Sequence, residues 1–128
     1  MKLGVIGSRG FHDYELITTT LRAFSKDTSC VLAGGAAGAD ALTESWCAEN
    51  NVPFVLFKPY FLLDPYATYS VRHYFTRNKQ IIDNADMVVA FWDGVSPGTK
   101  WGIGYAKKHN KPITVVRLPG DRPNKMAA

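Results

Sequence analysis

An alternation constrains the fold of this chain more than any other feature. Short apolar, often β-branched runs recur five times, at residues 2–6 (KLGVI), 30–33 (CVLA), 53–57 (PFVLF), 86–91 (DMVVAF) and 112–117 (PITVVR), with stretches of helical length between them. The runs are continuously apolar rather than alternating, as strands covered on both faces should be. The stretches between them carry apolar residues at helical spacing. The first opens at Asp13, a natural N-cap, and repeats Ile17, Leu21 and Phe24 at i, i+4 and i+7. The second, from Gly38, sets Ala39, Leu42 and Trp46 on one side, and the third aligns Val71, Tyr74, Phe75, Ile81 and Ile82. A fourth runs from about residue 98 to 109. This order predicts an α/β fold: a Rossmann-like three-layer sandwich on a parallel five-stranded sheet of order 3-2-1-4-5, joined by right-handed crossovers.

The chain has 128 residues, 46% of them apolar and 20% charged, which suits one domain with one core and excludes a disordered body. We assign residues 1–117 to that domain and residues 118–128 to a basic, flexible tail. Residues 59–70 (PYFLLDPYATYS) read as a loop or lid beside the strand ends. No apolar run reaches the roughly 18–20 residues that cross a bilayer, and the first residues lack the organisation of a signal peptide. A cytoplasmic location and no membrane partner are therefore expected. Cys30 and Cys47 lie among apolar neighbours and read as reduced core thiols, with a disulfide as the alternative. His12, His73 and His109 lack metal-ligand spacing, so neither a metal nor a cofactor is expected.

The formal charge of +4 would by itself suggest a nucleic-acid binder. Its distribution argues otherwise. The first 106 residues hold nine basic and ten acidic side chains, whereas the last 22 hold six basic and one acidic.

Small residues gather after three of the strands: GSRG at residues 7–10, GGAAGAD at 34–40, and WDGVSPGT at 92–99. In the order 2-1-4 these strand ends are neighbours, so their turns share the crevice at the switch point, where open α/β sheets bind ligands. Glycines let a ligand approach the backbone, and helix N-termini point N–H groups and a positive dipole at it, which favours an anion such as phosphate. The candidate ligand-binding residues are Gly7, Ser8 and Arg9 in the first turn, Gly34, Gly35, Ala36, Gly38 and Asp40 in the second, and Asp93, Ser96, Gly98 and Thr99 in the third. The third helix adds Arg77 and Asn78. Asn78 interrupts an apolar face, and a buried amide there must bond either a neighbouring loop or the ligand. Arg77, at the edge of that face, reaches either into the crevice or into solvent. Asp13 is explained by capping and Asp40 in part by the helix dipole, while Asp93 is a candidate for ribose hydroxyls. Trp92, Trp101, Tyr60, Phe61 and Tyr66 either stack on a base or pack in core and lid.

In GSRGFHD, GGAAGAD, the pair Arg77-Asn78 and FWDGVSPGT, the chain resembles the SLOG superfamily, and most of all its small YspA/YpsA-related branch. More distantly it is similar to the Lonely Guy phosphoribohydrolases and to the Rossmann-like domain of DNA-processing protein A. The resemblance spans residues 4–106. It implies a Rossmann-like domain that binds nucleotides or nucleotide-derived ligands, as a homodimer or higher homo-oligomer. Lonely Guy enzymes cleave the N-glycosidic bond of nucleoside 5'-monophosphates with an arginine on the third helix, matched by Arg77, and a glutamate in a PGGxGTxxE motif. Here Gly102 stands at the glutamate position. Stabilising an oxocarbenium-like transition state takes a carboxylate, which glycine cannot supply.

Three functions follow, in this order. The first is binding of a nucleotide or phosphorylated ribose as sensor, carrier or sequestering protein. The second is phosphoribohydrolysis, with Arg77, Asp93 and Asp40 as catalytic candidates. Single-stranded DNA binding comes last, because the positive charge gathers in the tail rather than along a groove, and a nucleic-acid partner is accordingly not expected.

Overall fold

The computed structural model describes residues 1–35, 37–58 and 71–117. Five strands, β1 (Lys2–Gly7), β2 (Cys30–Gly34), β3 (Phe54–Phe57), β4 (Met87–Trp92) and β5 (Ile113–Arg117), form one sheet. Every pairing is parallel and the order is β3-β2-β1-β4-β5, as the sequence pattern predicts. Helices α1 (Tyr14–Phe24), α2 (Ala39–Glu49), α3 (Val71–Asn84) and α4 (Pro97–Lys108) flank it. A 3-10 turn, Ser25–Asp27, follows α1.

The apolar runs feed two cores because neighbouring residues in a strand face opposite ways. Leu3, Val5, Val31, Ala33, Val89 and Phe91 pack against Ile17 and Leu21 of α1 and Trp46 and Cys47 of α2. On the other face Ile6, Leu32, Val88 and Ala90 meet Ile81 and Ile82 of α3 and Ile103 and Ala106 of α4. Each such fully buried Leu, Ile or Val stabilises the fold by roughly 1.5–3 kcal/mol relative to an exposed one. Cys30 and Cys47 are free thiols, and burial, with Glu44 nearby, pushes the Cys47 thiol up to about 11.

The helix starts carry the sequence signals in different ways. The Asp13 carboxylate accepts a 3.0 Å bond from the Leu16 amide, so it caps α1. At α2 the N-cap is Gly38, whose φ of +73° puts it in the left-handed region, and a Cβ there would lie 2.1 Å from the Arg9 carbonyl oxygen. Only glycine satisfies both demands. Leu42 is half-buried, and the buried side of α2 includes Asp40 and Thr43, since the first turn of that helix faces other strand ends as well as the core. At α4, Pro97 opens the helix, and Ser96 at the N-cap gives it no side-chain cap. The expected lid at 59–70, with Tyr60, Phe61 and Tyr66, the tail at 118–128, and Ala36 all lie outside the described residues. No described helix is long and apolar enough to cross a membrane.

Candidate anion-binding site

At the carboxyl ends of β1 and β4 a crevice of about 200 Å³ opens between the turn after β1, the start of α4 and one side of α3. Gly7, Ser8 and Arg9 form one wall and Ser96, Pro97, Gly98 and Thr99 another, with Tyr74, Arg77 and Asn78 closing the third. Among the described residues that line it there are two arginines and no carboxylate.

Arg77 is the centre of the arrangement. It is 7% exposed, and its Nε donates to Asn78 Oδ1 at 2.9 Å. Its Nη1 lies 3.9 Å from Asp40 Oδ2, beyond hydrogen-bond length, and makes no hydrogen bond among the described residues. Burial pulls the guanidinium below its usual value, against the opposing influence of Asp40 and Tyr74, and Arg9 adds to the lowering. An arginine stays charged under such a load, so the site is left with a buried cation whose charge Asp40 balances only in part. Asn78, 5% exposed, holds it with both ends of its amide. While Oδ1 accepts from Arg77, Nδ2 donates to the Gly98 carbonyl at 3.1 Å, which ties the arginine to the start of α4.

The rest of the wall is cationic or donor-rich. Arg9 donates to the Tyr74 hydroxyl, and both guanidinium groups sit over the Tyr74 ring, at 4.9 Å for Arg9 and 5.6 Å for Arg77. Because Ser96 supplies no cap, the first amides of α4, at Gly98 and Thr99, are presented where the helix dipole favours an anion. The nearest atom to a Cβ at Gly98 would be Asn78 Nδ2 at 4.0 Å, so this glycine leaves open space at the helix start. These groups can hold one phosphate or comparable oxyanion.

The crevice thus brings together Gly7, Ser8, Arg9, Arg77, Asn78, Ser96, Gly98 and Thr99 from the sequence-derived set. The second turn stands behind it. A Cβ on Gly34 would sit 1.7 Å from Arg77 Nη1 and 2.9 Å from Asp40 Oδ2, so Gly34 makes room for the arginine rather than for a ligand. Gly35 lies against Leu56, and Gly38 packs on the backbone of Ser8 and Arg9. Asp40, 2% exposed, backs Arg77 without lining the crevice. Asp93 is committed to its own loop. Its Oδ1 accepts from the Val95 and Ser96 amides at 2.9 and 2.8 Å, and its Oδ2 from Ser96 Oγ at 2.7 Å. Burial pushes its carboxyl up, but the bonds from Val95, Ser96 and Ser8 outweigh that and hold it below the ordinary carboxylate range. Ser8 Oγ also accepts from the Asp93 amide at 3.1 Å, linking the first and third turns. Gly102 is buried, and a Cβ there would lie 2.6 Å from Ile6 Cδ1, so an isoleucine fills the space.

Sequence reasoning missed Tyr74, which it placed among the apolar residues of α3. Its position one turn before Arg77 on the same helix is the signal that could have found it.

Residues 1–62 match the YAcAr family, described as the YspA, cpYpsA-related SLOG family. Over that stretch, which holds the first two glycine turns and stops before Arg77, the chain is similar to this SLOG family. A comparison with curated protein sequences finds no match. Among solved structures, the fold is similar to DNA processing protein A from Helicobacter pylori, described for its single-stranded DNA binding mode. The TM-score is 0.71 at 18% identity, over 90% of this chain. The chain corresponds to 64% of that one. This likeness overturns the expectation that a nucleic acid is not a partner. The tail-weighted charge behind that expectation is no argument against one, because the same architecture occurs in a protein described by its single-stranded DNA binding.

Proposed function

We propose that this protein binds nucleotide units through their phosphate in the crevice, and that it takes them as part of a single-stranded nucleic acid. The observation that carries the reading is the buried, incompletely balanced Arg77 in a crevice lined by a second arginine, an uncapped helix start and, among the described residues, no carboxylate. Size supports the strand form. At about 200 Å³ the crevice is smaller than the roughly 300–1,000 Å³ of sites that enclose a whole small molecule. It accommodates the phosphate and leaves base and neighbouring nucleotides outside, as a strand requires. The fold shared with DNA processing protein A of Helicobacter pylori supports the same form.

A free nucleotide, held by a sensor or carrier, is the second reading. It is favoured by the concave shape, which among the described residues gathers its donors around one phosphate-sized space. Phosphoribohydrolysis has less support. Gly102 is packed under Ile6, Asp93 is bonded within its loop and Asp40 lies behind Arg77, so among the described residues none of the candidate carboxylates lines the crevice.

Titration calorimetry with thymidine 5'-monophosphate, thymidine and a dT12 oligonucleotide tests the proposal. The oligonucleotide is expected to bind most tightly and the monophosphate weakly, with no heat from the nucleoside, and Arg77→Ala should abolish both signals. Binding of thymidine as strong as that of its monophosphate, or an unchanged affinity in Arg77→Ala, would overturn it.

A further inference from the structure

A crevice sized for a phosphate leaves open where the bases go, and the side of the two neighbouring helices offers a place. Phe75 of α3 and Trp101 of α4 lie with ring centroids 5.2 Å apart and planes 6° from parallel. Trp101 continues to Tyr105 at 5.2 Å and 13°, and Tyr105 to His109 at 4.2 Å. Three aligned rings and an imidazole therefore form a ladder across the α3–α4 surface. It is not part of the core: Phe75 and Trp101 belong to neither buried cluster, and Tyr105 only flanks the second. The two helices already pack onto the sheet through Ile81, Ile82 and Ile103, so the ladder is surplus to holding them there.

Beside the ladder runs a shallow cleft of about 590 Å³. Gly104 keeps it open, since no atom lies within 4 Å of where its Cβ would be. Lys100 and Lys108 line the cleft and are exposed. Asp83, which bonds one of the ladder's own rings, is already engaged by Lys79 at 3.1 Å and by the Tyr105 hydroxyl at 2.7 Å. Pro97 lines both the cleft and the phosphate crevice, so the two adjoin.

The geometry points to this ladder as the stacking platform for the bases of a single-stranded polynucleotide whose phosphate sits in the adjoining crevice. The half-buried rings partly cover one another's faces, so a base meets the ring edges and the offset parts of the faces that line the cleft, with lysines alongside for the phosphates. Such contact tolerates any sequence because every base has a π-face. An acidic or purely apolar partner would leave one half of that pairing unused. The inference rests on the reading of the crevice as a nucleotide-phosphate site and adds the place and chemistry of base contact.

The test is competition against fluorescein-labelled dT12 bound to the full chain, read by anisotropy, with thymidine 5'-monophosphate, dT3 and dT6 as competitors. Affinity is expected to rise at least tenfold from the monophosphate to dT6. Trp101→Ala should weaken dT6 by roughly 5- to 150-fold, the range for losing one stacked base, and leave the monophosphate within twofold. The double variant Lys100→Glu/Lys108→Glu, at exposed positions where folding is not at stake, should act in the same direction. A monophosphate that binds while dT6 binds no tighter, or Trp101→Ala and Lys100→Glu/Lys108→Glu variants without effect on dT6, overturns the platform and leaves the crevice standing. If neither the monophosphate nor any oligomer binds, both readings fall. Two further results would overturn the platform: a dA12·dT12 duplex that binds as tightly as dT12, since its bases are hidden, and a Trp101→Ala variant that loses a dimer by light scattering but keeps its dT6 affinity.

Discussion

A single methyl group at Gly34 is enough to test the buried cation. Its Cβ would overlap Arg77 Nη1 at 1.7 Å, and the guanidinium, bonded to Asn78 and set beside Asp40, steps aside only by giving up one of those neighbours. Gly34→Ala is therefore expected to lower phosphate or oligonucleotide affinity by at least tenfold while β2 remains in the sheet, measured by calorimetry alongside a far-UV spectrum. Unchanged affinity would mean that Arg77 does not hold the ligand. Asp93 carries a second residue-scale prediction. Its folded carboxyl lies below the ordinary value of about 3.9, so its contribution to stability is complete above the unfolded value and fades as pH falls through the lower folded one. Asp93→Asn keeps an acceptor for the Val95 and Ser96 amides and should flatten the loss of thermal stability between about pH 5 and pH 2. Parallel acid limbs in wild type and variant would remove Asp93 as a cause. Asn78 is legible in the sequence as a polar break in an apolar face. Arg77 is not, because its spacing leaves it at the edge of that face, and only Gly34 and Asp40, distant in sequence, decide that it turns inward. For the same reason Gly34 reads as room for a ligand when it is room for an arginine.

At the scale of elements, the contact between α4 and β1 decides how close the helix start can come to the turn after β1. Gly102 lets Ile6 Cδ1 reach under the helix, to within 2.6 Å of where a Cβ would be. Gly102→Ala should cost about 1–3 kcal/mol through overpacking, and Ile6→Val, which removes that δ-methyl, about 0.5–1.5 kcal/mol. Because the second change removes the atom that the first strikes, the double variant is expected to be less destabilised than the two costs added, by at least about 0.5 kcal/mol in urea unfolding. Additive costs would show that the helix shifts instead. The elements themselves are legible almost to the residue: the continuous apolar runs become strands that feed both cores, and Asp13 starts α1. Their order across the sheet follows from right-handed crossovers, and the adjacency of the glycine turns follows from that order. Less legible is which side of a helix matters for what. Phe75, Trp101 and Tyr105 share the helical spacing of core residues, and only the packing of α3 beside α4 shows that they line up outside it.

For the molecule as a whole, the question is where its positive charge acts. The basic excess of the last 22 residues begins inside α4, with Lys107 and Lys108 in its final turn, so part of it belongs to the body and flanks the aromatic ladder. Arg9 and Arg77 at the crevice and Lys100 and Lys108 at the adjoining cleft place four cations in two neighbouring depressions that meet at Pro97. If each meets a phosphate, log affinity for dT12 should fall against log salt with a slope of roughly −3, at about −0.7 per contact. Between 50 and 200 mM salt that is roughly a 50-fold loss. Lys100→Ala/Lys108→Ala is expected to reduce the slope by about 1.4, and the stacking variant Trp101→Ala to weaken binding without changing it. Anisotropy titrations at four salt concentrations measure both quantities. A slope near zero in the wild type would show that the two depressions carry no strand, and a slope unchanged by the lysine pair would place the phosphates elsewhere on the molecule.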